Sequence, residues 1–396
     1  MPKILKTTFT VARTLCVAVC CLLVCGSPKV GLAQNELTQA VQDKQEADNQ
    51  AKEKPAAETA EPKTAEPKTA EPKAAEPKTA EPKTAEPKTA EPKAAQSETA
   101  QPGKEIGVTF SNAVQSKWKV GTKIIGGSKA ASNVLITLPV PADWPEQSVS
   151  FDDVVVDSQS RVLDSFRKLD GGIHQLVVKM PRLAAREQVV VSVTCLVTTS
   201  QIDAPADPSV LLKPKTSHRE GKPYTGVGPD INFRNAKLRA QVKQLVKDKP
   251  SVWAEVESIF DWVRDEIEDT TQEPGDVVSV FRHRQGCNED KVGLFVAMCR
   301  AHKVPARMVW VQGTQHAEFM LVDSDKKAHW IPCRPGGLRE FGSIAEPRVV
   351  LQKGDSIRVP EKEQRQKYVA EFVTCEGLTA ASKPRVGFFR ELVSDE

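Results

Sequence analysis

The chain has 396 residues and a formal net charge of +3, with 55 lysine and arginine residues against 52 aspartate and glutamate residues. Acidic and basic side chains are mixed throughout, and no basic patch is interleaved with aromatic residues, so the composition argues against a nucleic-acid partner. The length accommodates two domains, although the first quarter of the chain lacks the apolar content of a folded core.

The N-terminus has the pattern of a secretory signal peptide. Three basic residues precede an apolar stretch, residues 15–25, that is too short to span a bilayer. The small residues Gly31 and Ala33 then offer a cleavage site. We assign residues 1–33 to the signal peptide and expect an exported protein, periplasmic or secreted, with no stable membrane span after cleavage. The alternative is an uncleaved N-terminal segment that anchors the chain to a membrane.

A repeat follows in which Glu-Pro-Lys recurs every fifth residue from Glu61 to Glu91. Proline at this spacing forbids a continuous helix, and the repeat has too little apolar content to form a core. Residues 34–103 are therefore predicted to be a disordered, partly polyproline-II spacer. Two interpretations stay open for it, a tether across a periplasm or wall layer and a freely drifting linker, and composition favours the linker.

Residues 104–203 carry the pattern of short strands without a helix, which is typical of a β-sandwich. The β-rich runs are 134–138, 154–156, 175–180 and 188–194. No catalytic constellation is visible there, so we expect a structural or substrate-orienting module. Residues 204–227 are rich in proline, glycine and charge and form a connecting segment.

Two amphipathic helices are predicted next, over residues 238–246 and 252–267. Cys287 then follows Gly286 and precedes a third helix. At a helix N-terminus the free backbone N–H groups and the helix dipole favour a thiolate, and they also stabilise an oxyanion on an attacked carbonyl. One cysteine in this position does not by itself distinguish a nucleophile from an inert buried side chain.

Cysteine usage leaves room for a free thiol but not for a metal centre. Five cysteines remain after the signal peptide: Cys195, Cys287, Cys299, Cys333 and Cys375. Their odd number implies an unpaired thiol or an intermolecular bond. The cysteine–histidine pairs at i, i+3 and i, i+4 spacing lack the paired-knuckle pattern of a zinc site. We predict no metal and no cofactor.

Three strands are predicted after the Cys287 helix, at 303–311, 315–322 and 328–333, with His316 on the second. A cysteine at a helix start, then a histidine on a strand, then the next strand, resembles the transglutaminase-like superfamily of papain-like cysteine enzymes. The matching residues are Gly286-Cys287, the run Arg300-Ala301-x-x-Val304-Pro305-Ala306-Arg307, and Trp330-Ile331-Pro332. The resemblance covers about residues 252–338.

This resemblance implies an α+β fold class, with a papain/transglutaminase-like catalytic domain at residues 228–360. The all-β sandwich and the disordered proline-rich spacer precede it. Residues 361–396 contain strand-like pieces around a charged stretch, and we expect them to form a C-terminal extension that packs on the catalytic domain.

The family's triad of cysteine, histidine and aspartate is matched only in part. If Glu318 is aligned with the glutamate of the family's histidine motif, Thr314 takes the histidine position, and Arg334 takes the aspartate position. The candidate catalytic residues are Cys287 and His316, the latter displaced along its strand by about 6–7 Å. Because Arg334 cannot accept an imidazole N–H, Glu318 is the candidate orienting group.

The charges near Cys287 predict a lowered thiol pKa. Arg284 precedes the cysteine, and Arg334 is expected across the hairpin from His316. Both cations, together with the helix N-terminus, favour the thiolate. Glu289 and Asp290 in the first helical turn oppose them, so the predicted shift is moderate.

Three functions follow from these observations. The first is an exported cysteine hydrolase or acyltransferase that acts on peptide or amide bonds through a thioester, with a peptide, a protein or cell-wall peptide as substrate. The second is a catalytically degenerate domain that binds peptide or cell-wall material, and the third is a structural scaffold. The intact Cys287 turn favours the first function, whereas Thr314 and Arg334 favour the second.

The spacer supports a prediction about stability. Deleting residues 34–103 is expected to leave the melting temperature of the mature protein unchanged within about two degrees, because few native contacts are lost. Differential scanning calorimetry of the two forms measures this. A drop of about ten degrees or more would mean that the segment packs on the folded core.

Overall fold

The computed structural model describes residues 106–376 and 382–393. The predicted signal peptide and spacer, residues 1–33 and 34–103, lie outside the described residues. Among the helices of the described part, none is both long and apolar enough to cross a membrane.

The N-terminal part of the described chain consists of two antiparallel sheets that share one apolar core. Its strands are β1 (Thr109–Ile125), β2 (Ala131–Val140), β3 (Gln147–Phe151), β4 (Val155–Asp157), β5 (Leu163–Lys168), β6 (His174–Leu183) and β7 (Gln188–Asp203). One sheet contains β1, β7, β3 and β4, and the other contains β2, β6 and β5. Alternate residues of β7 from Val189 to Val197 are fully buried, because successive side chains of a strand point to opposite faces. We call this part the two-sheet region.

The helices follow a connecting segment and precede a second sheet. They are α1 (Ala236–Leu245), α2 (Val252–Glu266), α3 (Val277–His283) and α4 (Asn288–Ala301). The side chains of Asn235, Ser251 and Asp276 accept backbone N–H groups at the starts of α1, α2 and α3, which satisfies donors that would otherwise lack a partner. Helix α3 was not predicted from the sequence, because its seven residues contain too few turns for a periodic pattern.

The second sheet, called here the central sheet, has the strand order β13-β12-β11-β10-β14, and every pairing in it is antiparallel. Its strands are β10 (Ala306–Val311), β11 (Thr314–Val322), β12 (Ala328–Arg334), β13 (Glu340–Phe341) and β14 (Val350–Lys353). Two short parallel strands, β8 (Glu268–Asp269) and β9 (Gln285–Gly286), pair separately.

Helix α4 packs on one face of the central sheet. The Phe295 ring lies against the Phe319 ring with centroids 6.3 Å apart, and Ala317 belongs to the same apolar cluster. The helix is buried around its whole circumference, since every residue from Asp290 to Arg300 is buried. It is therefore a central helix and not a surface helix with a single buried face.

The other face of the central sheet meets the two-sheet region. Val309, Val311 and Val350 form a small apolar cluster there, and Trp144 of the two-sheet region packs against it. The pairing of Val309 with His316 places the histidine on this same face. The central sheet thus has helices on one side and the two-sheet region on the other.

The C-terminal strands differ from the expectation that residues 361–396 pack on the catalytic domain. Strand β15 (Phe372–Glu376) pairs with β2, and β16 (Arg385–Val393) pairs with β1, so they extend the two-sheet region. The segment before β15 does contact the helices, since Lys367 forms an ion pair with Glu289 at 2.7 Å. The physical reason is that β1 and β2 each leave a long edge of unpaired backbone groups, which the two strands cover.

A buried ion pair joins α4 to the central sheet. Arg300 binds both carboxylate oxygens of Asp355, at 2.9 and 2.7 Å, and also donates to the Ala306 carbonyl. Asp355 accepts the Met308 N–H at 3.2 Å. Both charged side chains are almost completely buried. These extra hydrogen bonds offset the loss of hydration that two buried charges suffer.

Removing one partner of the Arg300–Asp355 ion pair is expected to lower the stability of the fold strongly. Asp355→Ala is expected to lower the free energy of unfolding by about 3–5 kcal/mol, because it leaves the Arg300 charge buried without compensation. Urea denaturation followed by circular dichroism measures the change. The matched control is Asp325→Ala in the exposed β11–β12 turn, expected to stay within about 0.5 kcal/mol. Equal effects of the two substitutions would contradict the stabilising role of this buried ion pair.

Candidate active site

Cys287 is the N-cap residue of α4 and is half-buried. The turn before it is held by the parallel pairing of Glu268 with Gln285 and of Asp269 with Gly286. A Cβ at Gly286 would lie 2.7 Å from the Asp290 Cβ, so only glycine fits there. The Gly-Cys motif therefore has a local steric reason, namely the close packing of the turn against the first turn of the helix.

Asp290 organises the helix start. Its Oδ2 accepts the Cys287 backbone N–H at 3.0 Å, and its Oδ1 accepts the Gly275 N–H at 2.8 Å. The N-cap residue and the residue three positions later thus form a capping box. This arrangement holds Cys287 at the N-terminus of α4, the position that the sequence predicts for the nucleophile.

The prediction of a lowered Cys287 pKa is wrong. Burial raises the pKa of the Cys287 thiol, and the negative charge of Asp290 raises it further, while backbone hydrogen bonds from Asp290 and Glu289 act in the opposite direction. The two expected cations are engaged elsewhere. The Arg284 guanidinium lies 4.3 Å from the Trp262 ring centroid, and Arg334 pairs with Glu340 at 2.6 Å.

His316 does not form a pair with Cys287. It is buried on the face of β11 opposite to α4, and its ring makes no hydrogen bond to the cysteine in the described chain. Burial lowers the pKa of His316 to about 3, with Lys353, Arg334 and Arg307 acting in the same direction and Glu318 against it. The imidazole is neutral at physiological pH, and its Nε2 makes no hydrogen bond through which it would take the Cys287 proton.

Thr314, not His316, contacts the start of α4. The Asn288 side-chain Nδ2 donates to Thr314 Oγ1 at 3.1 Å and to the Gln315 carbonyl at 3.0 Å. The strand position aligned with the family's histidine therefore lies beside the residue that follows Cys287. A threonine hydroxyl cannot take up a proton at neutral pH as an imidazole does.

Glu318 is fully engaged by cations and is not free to orient an imidazole. Its Oε2 binds Arg307 at 2.6 Å, and its Oε1 binds Lys353 at 2.5 Å. These charges hold the pKa of Glu318 down at about 2. Lys353 also pairs with Glu146 of the two-sheet region at 2.6 Å. The sequence offers no signal for Glu146 or Lys353, because nothing in the local pattern places them beside Glu318.

Two residues of the matched motifs, Arg307 and Trp330, have structural roles around the Glu318 ion pairs. The Arg307 guanidinium lies 3.9 Å from the Trp330 ring centroid and 5.3 Å from the Tyr224 ring centroid. Arg307 thus combines an ion pair with cation–π contacts. The Arg and Trp of the two matched motifs hold the central sheet together beside the candidate site.

The remaining thiols are less accessible or lie away from the helix start. The five described cysteines are free. Burial raises the pKa of Cys195 to about 11, and it also raises the pKa of Cys299 and of Cys333 well above the ordinary thiol value. Cys375 is half-buried. Within residues 106–376 and 382–393, no group of three or more His, Cys, Asp or Glu side chains is placed to hold a metal ion.

The environment of Cys287 predicts its reactivity. Asp290→Asn is expected to speed alkylation by iodoacetamide at pH 7.5 by about two- to tenfold, because it removes a charge that raises the thiol pKa. Peptide mass spectrometry of quenched samples measures the rate. Glu289→Gln, which removes the same charge one residue earlier, is the matched control. His316→Gln is expected to leave the rate unchanged, and a marked slowing would show that His316 activates the thiol.

Comparison with known proteins identifies the domain. Residues 239–335 match the family model of the Transglutaminase-like superfamily. A search of curated proteins finds no match.

Two solved structures align with the chain. One, from Cytophaga hutchinsonii and described as a "putative cysteine protease", has 16% identity and a TM-score of 0.46, with 73% of this chain and 94% of its own covered. The other, from Parabacteroides distasonis ATCC 8503 and described as a "putative protease", has 11% identity and a TM-score of 0.23, with 59% of this chain and 48% of its own covered. These values are too low to assign an activity. The family match, on the helix that bears Cys287 and the strands after it, identifies residues 239–335 as a transglutaminase-like domain.

Proposed function

We propose that this chain is an exported protein whose transglutaminase-like domain binds peptide segments without cleaving or transferring them. One observation carries the proposal. His316 makes no hydrogen bond to Cys287 in the described chain, and Thr314 is the residue of β11 that contacts the start of α4.

Chemistry at a cysteine needs a base that removes the thiol proton and a group that orients that base. In the described chain neither is present at Cys287. Thr314 occupies the position beside the helix start, and Arg334 is paired with Glu340 where the family has an aspartate. The raised pKa of the Cys287 thiol, caused mainly by burial, leaves little thiolate at neutral pH.

Peptide recognition is supported by what the helix start retains. Backbone N–H groups of Glu289 and Asp290 point at the Cys287 sulfur, and such donors also bind a carbonyl oxygen. The superfamily resemblance implies substrates with peptide or amide bonds. A domain that keeps the donors but lacks the base is expected to hold a peptide carbonyl near Cys287 without forming a thioester.

The other parts of the chain suit such a role. We interpret the two-sheet region as a β-sandwich module that supports the central sheet through the Glu146–Lys353 ion pair. Export rests on the signal-peptide pattern of residues 1–33, and the Glu-Pro-Lys spacer would separate the folded part from a membrane or wall layer. An exported domain would meet peptides of the cell envelope, so we propose these as its ligands.

A cysteine hydrolase or acyltransferase is the second candidate. Its support is the position of Cys287, a half-exposed thiol on a fixed turn at a helix N-terminus. A base supplied by the bound substrate would be required, because the described chain places none at hydrogen-bond distance from the sulfur.

Turnover assays on the mature chain separate the two candidates. The wild type is expected to release no product from fluorogenic peptide amides, and to transfer no glutamine acyl group to an amine, above the level of Cys287→Ser. Binding of a labelled peptide is measured by fluorescence anisotropy. The wild type and Cys287→Ser are expected to bind it with equal affinity. Turnover that Cys287→Ser abolishes would overturn the proposal and establish the enzyme.

Restoring the family's side chains provides a positive test. Thr314→His, combined with Arg334→Asp and Glu340→Gln, is expected to produce a burst with p-nitrophenyl acetate at least about tenfold above the wild type, because an oriented base is supplied beside Cys287. The matched control carries the last two substitutions without Thr314→His. If the control shows the same burst, the missing histidine is not what limits the wild type.

A further inference from the structure

A small cavity, partly open to solvent, lies between the central sheet and the two-sheet region. Its floor is formed by His316 and Glu146, both more than nine-tenths buried. Its rim includes Glu346 and Arg348, whose side chains are 63% and 35% exposed. Cys287 does not line it, so a ligand in this cavity would be additional to the proposed function.

Three buried nitrogen atoms of the lining residues have no hydrogen-bond partner in the described chain. They are Nε2 of His316, Nε of Arg334 and Nε of Arg348. An arginine Nε can only donate, and a protonated His316 Nε2 also donates. Leaving such groups unpaired in a buried site costs stability, so a ligand that supplies acceptor oxygens gains the full hydrogen-bond energy.

We propose that this cavity binds a small carboxylate, with His316, Arg334 and Arg348 as its donors. A planar guanidinium matches the geometry of a carboxylate. The hydroxyl groups of Thr199, Ser200 and Thr314 also line the cavity and can complete the shell of donors. A carboxylate with at most a few carbon atoms fits beside the buried floor.

The charges around the cavity determine how binding depends on pH. The groups that face His316 are Arg307, Glu318, Arg334 and Lys353 of the central sheet, Glu146 of the two-sheet region, and the rim charges Glu346 and Arg348; Glu340, which pairs with Arg334, lies behind them. The four cations and four anions of this set cancel. The cavity therefore presents no net positive charge to a carboxylate unless His316 takes up a proton.

Binding is accordingly coupled to protonation of His316. The free protein holds His316 neutral, since burial lowers its pKa to about 3, and a bound anion beside the ring raises that pKa. Uptake of one proton per ligand makes the affinity rise as pH falls, by up to about tenfold per pH unit between pH 7.5 and 5.5.

The test uses the mature chain and acetate as the probe, with chloride at the same ionic strength as the reference. Acetate is expected to shift the His316 ring resonances in a saturable manner and to raise the melting temperature, more strongly at pH 5.5 than at pH 7.5. N-acetylalanine and its amide distinguish the source of the carboxylate. Competition by the acid but not by the amide would extend the site to peptide C-termini, and no competition would restrict it to smaller free acids.

Matched variants decide whether the cavity is responsible. Arg334→Lys keeps the charge but removes the Nε–H, and it is expected to weaken acetate binding by about tenfold. Arg390→Lys is the control, because Arg390 also has a buried unpaired Nε and one carboxylate partner, Glu371 at 2.6 Å, but lies outside the cavity. His316→Gln is expected to abolish the pH dependence.

The proposal is overturned if acetate has no saturable effect beyond that of chloride, in which case ordered water occupies the cavity. It is also overturned if Arg334→Lys and Arg390→Lys weaken binding equally. Because turnover at Cys287 is measured separately, either result leaves the proposed function of the transglutaminase-like domain untouched. Retention of acetate binding in Cys287→Ser is expected and would show that the two sites are independent.

Discussion

The alternation of side chains along β11 is the constraint on which the rest of the structure depends. Ala317 and Phe319 face α4, and His316 and Glu318 face the two-sheet region. Both faces are covered, so a slip of one residue would bury the charged set among the helices and move the apolar set to the face that holds the ion pairs. The register of this one strand therefore determines which side chains meet the helices and which meet the two-sheet region, and it sets Thr314, not His316, beside the start of α4.

The charges on the second face explain how the two parts of the described chain are joined. Lys353 binds both Glu318 of the central sheet and Glu146 of the two-sheet region, and Arg307 supplies a further cation to Glu318. A buried charge is tolerated only when it is paired, so each member of this cluster requires the others. The arrangement specifies how the two parts dock. It also buries His316 beside cations, and burial first and the cations second lower its pKa, so the ring stays neutral. The same arrangement creates the cavity whose donors have no partner.

Much of the candidate site could be predicted because its determinants are local. Gly286 and Cys287 precede a helix within a few residues, and the motif that aligns Thr314 and Arg334 with the family's catalytic positions spans a single hairpin. The direction of the Cys287 pKa shift could not be predicted, because it depends on the burial of the sulfur. The pairing of Cys287 with His316 stays a prediction, and in the structure it is Thr314 of β11 that contacts the start of α4. A strand pattern shows which residues share a face, but not which face a distant helix covers.

The sequence by itself determined α1, α2, the cysteine at the start of α4 and the transglutaminase-like character of the domain, since capping, periodicity and turn chemistry act over a few neighbouring residues. Only the tertiary structure decided that β15 and β16 extend the two-sheet region, that α4 is buried all round, and that Glu318 is held by Arg307 and Lys353. These outcomes depend on contacts between residues far apart in the chain. Such contacts are selected by the free energy of burying apolar surface and pairing charge over the whole fold, and no local pattern contains that sum.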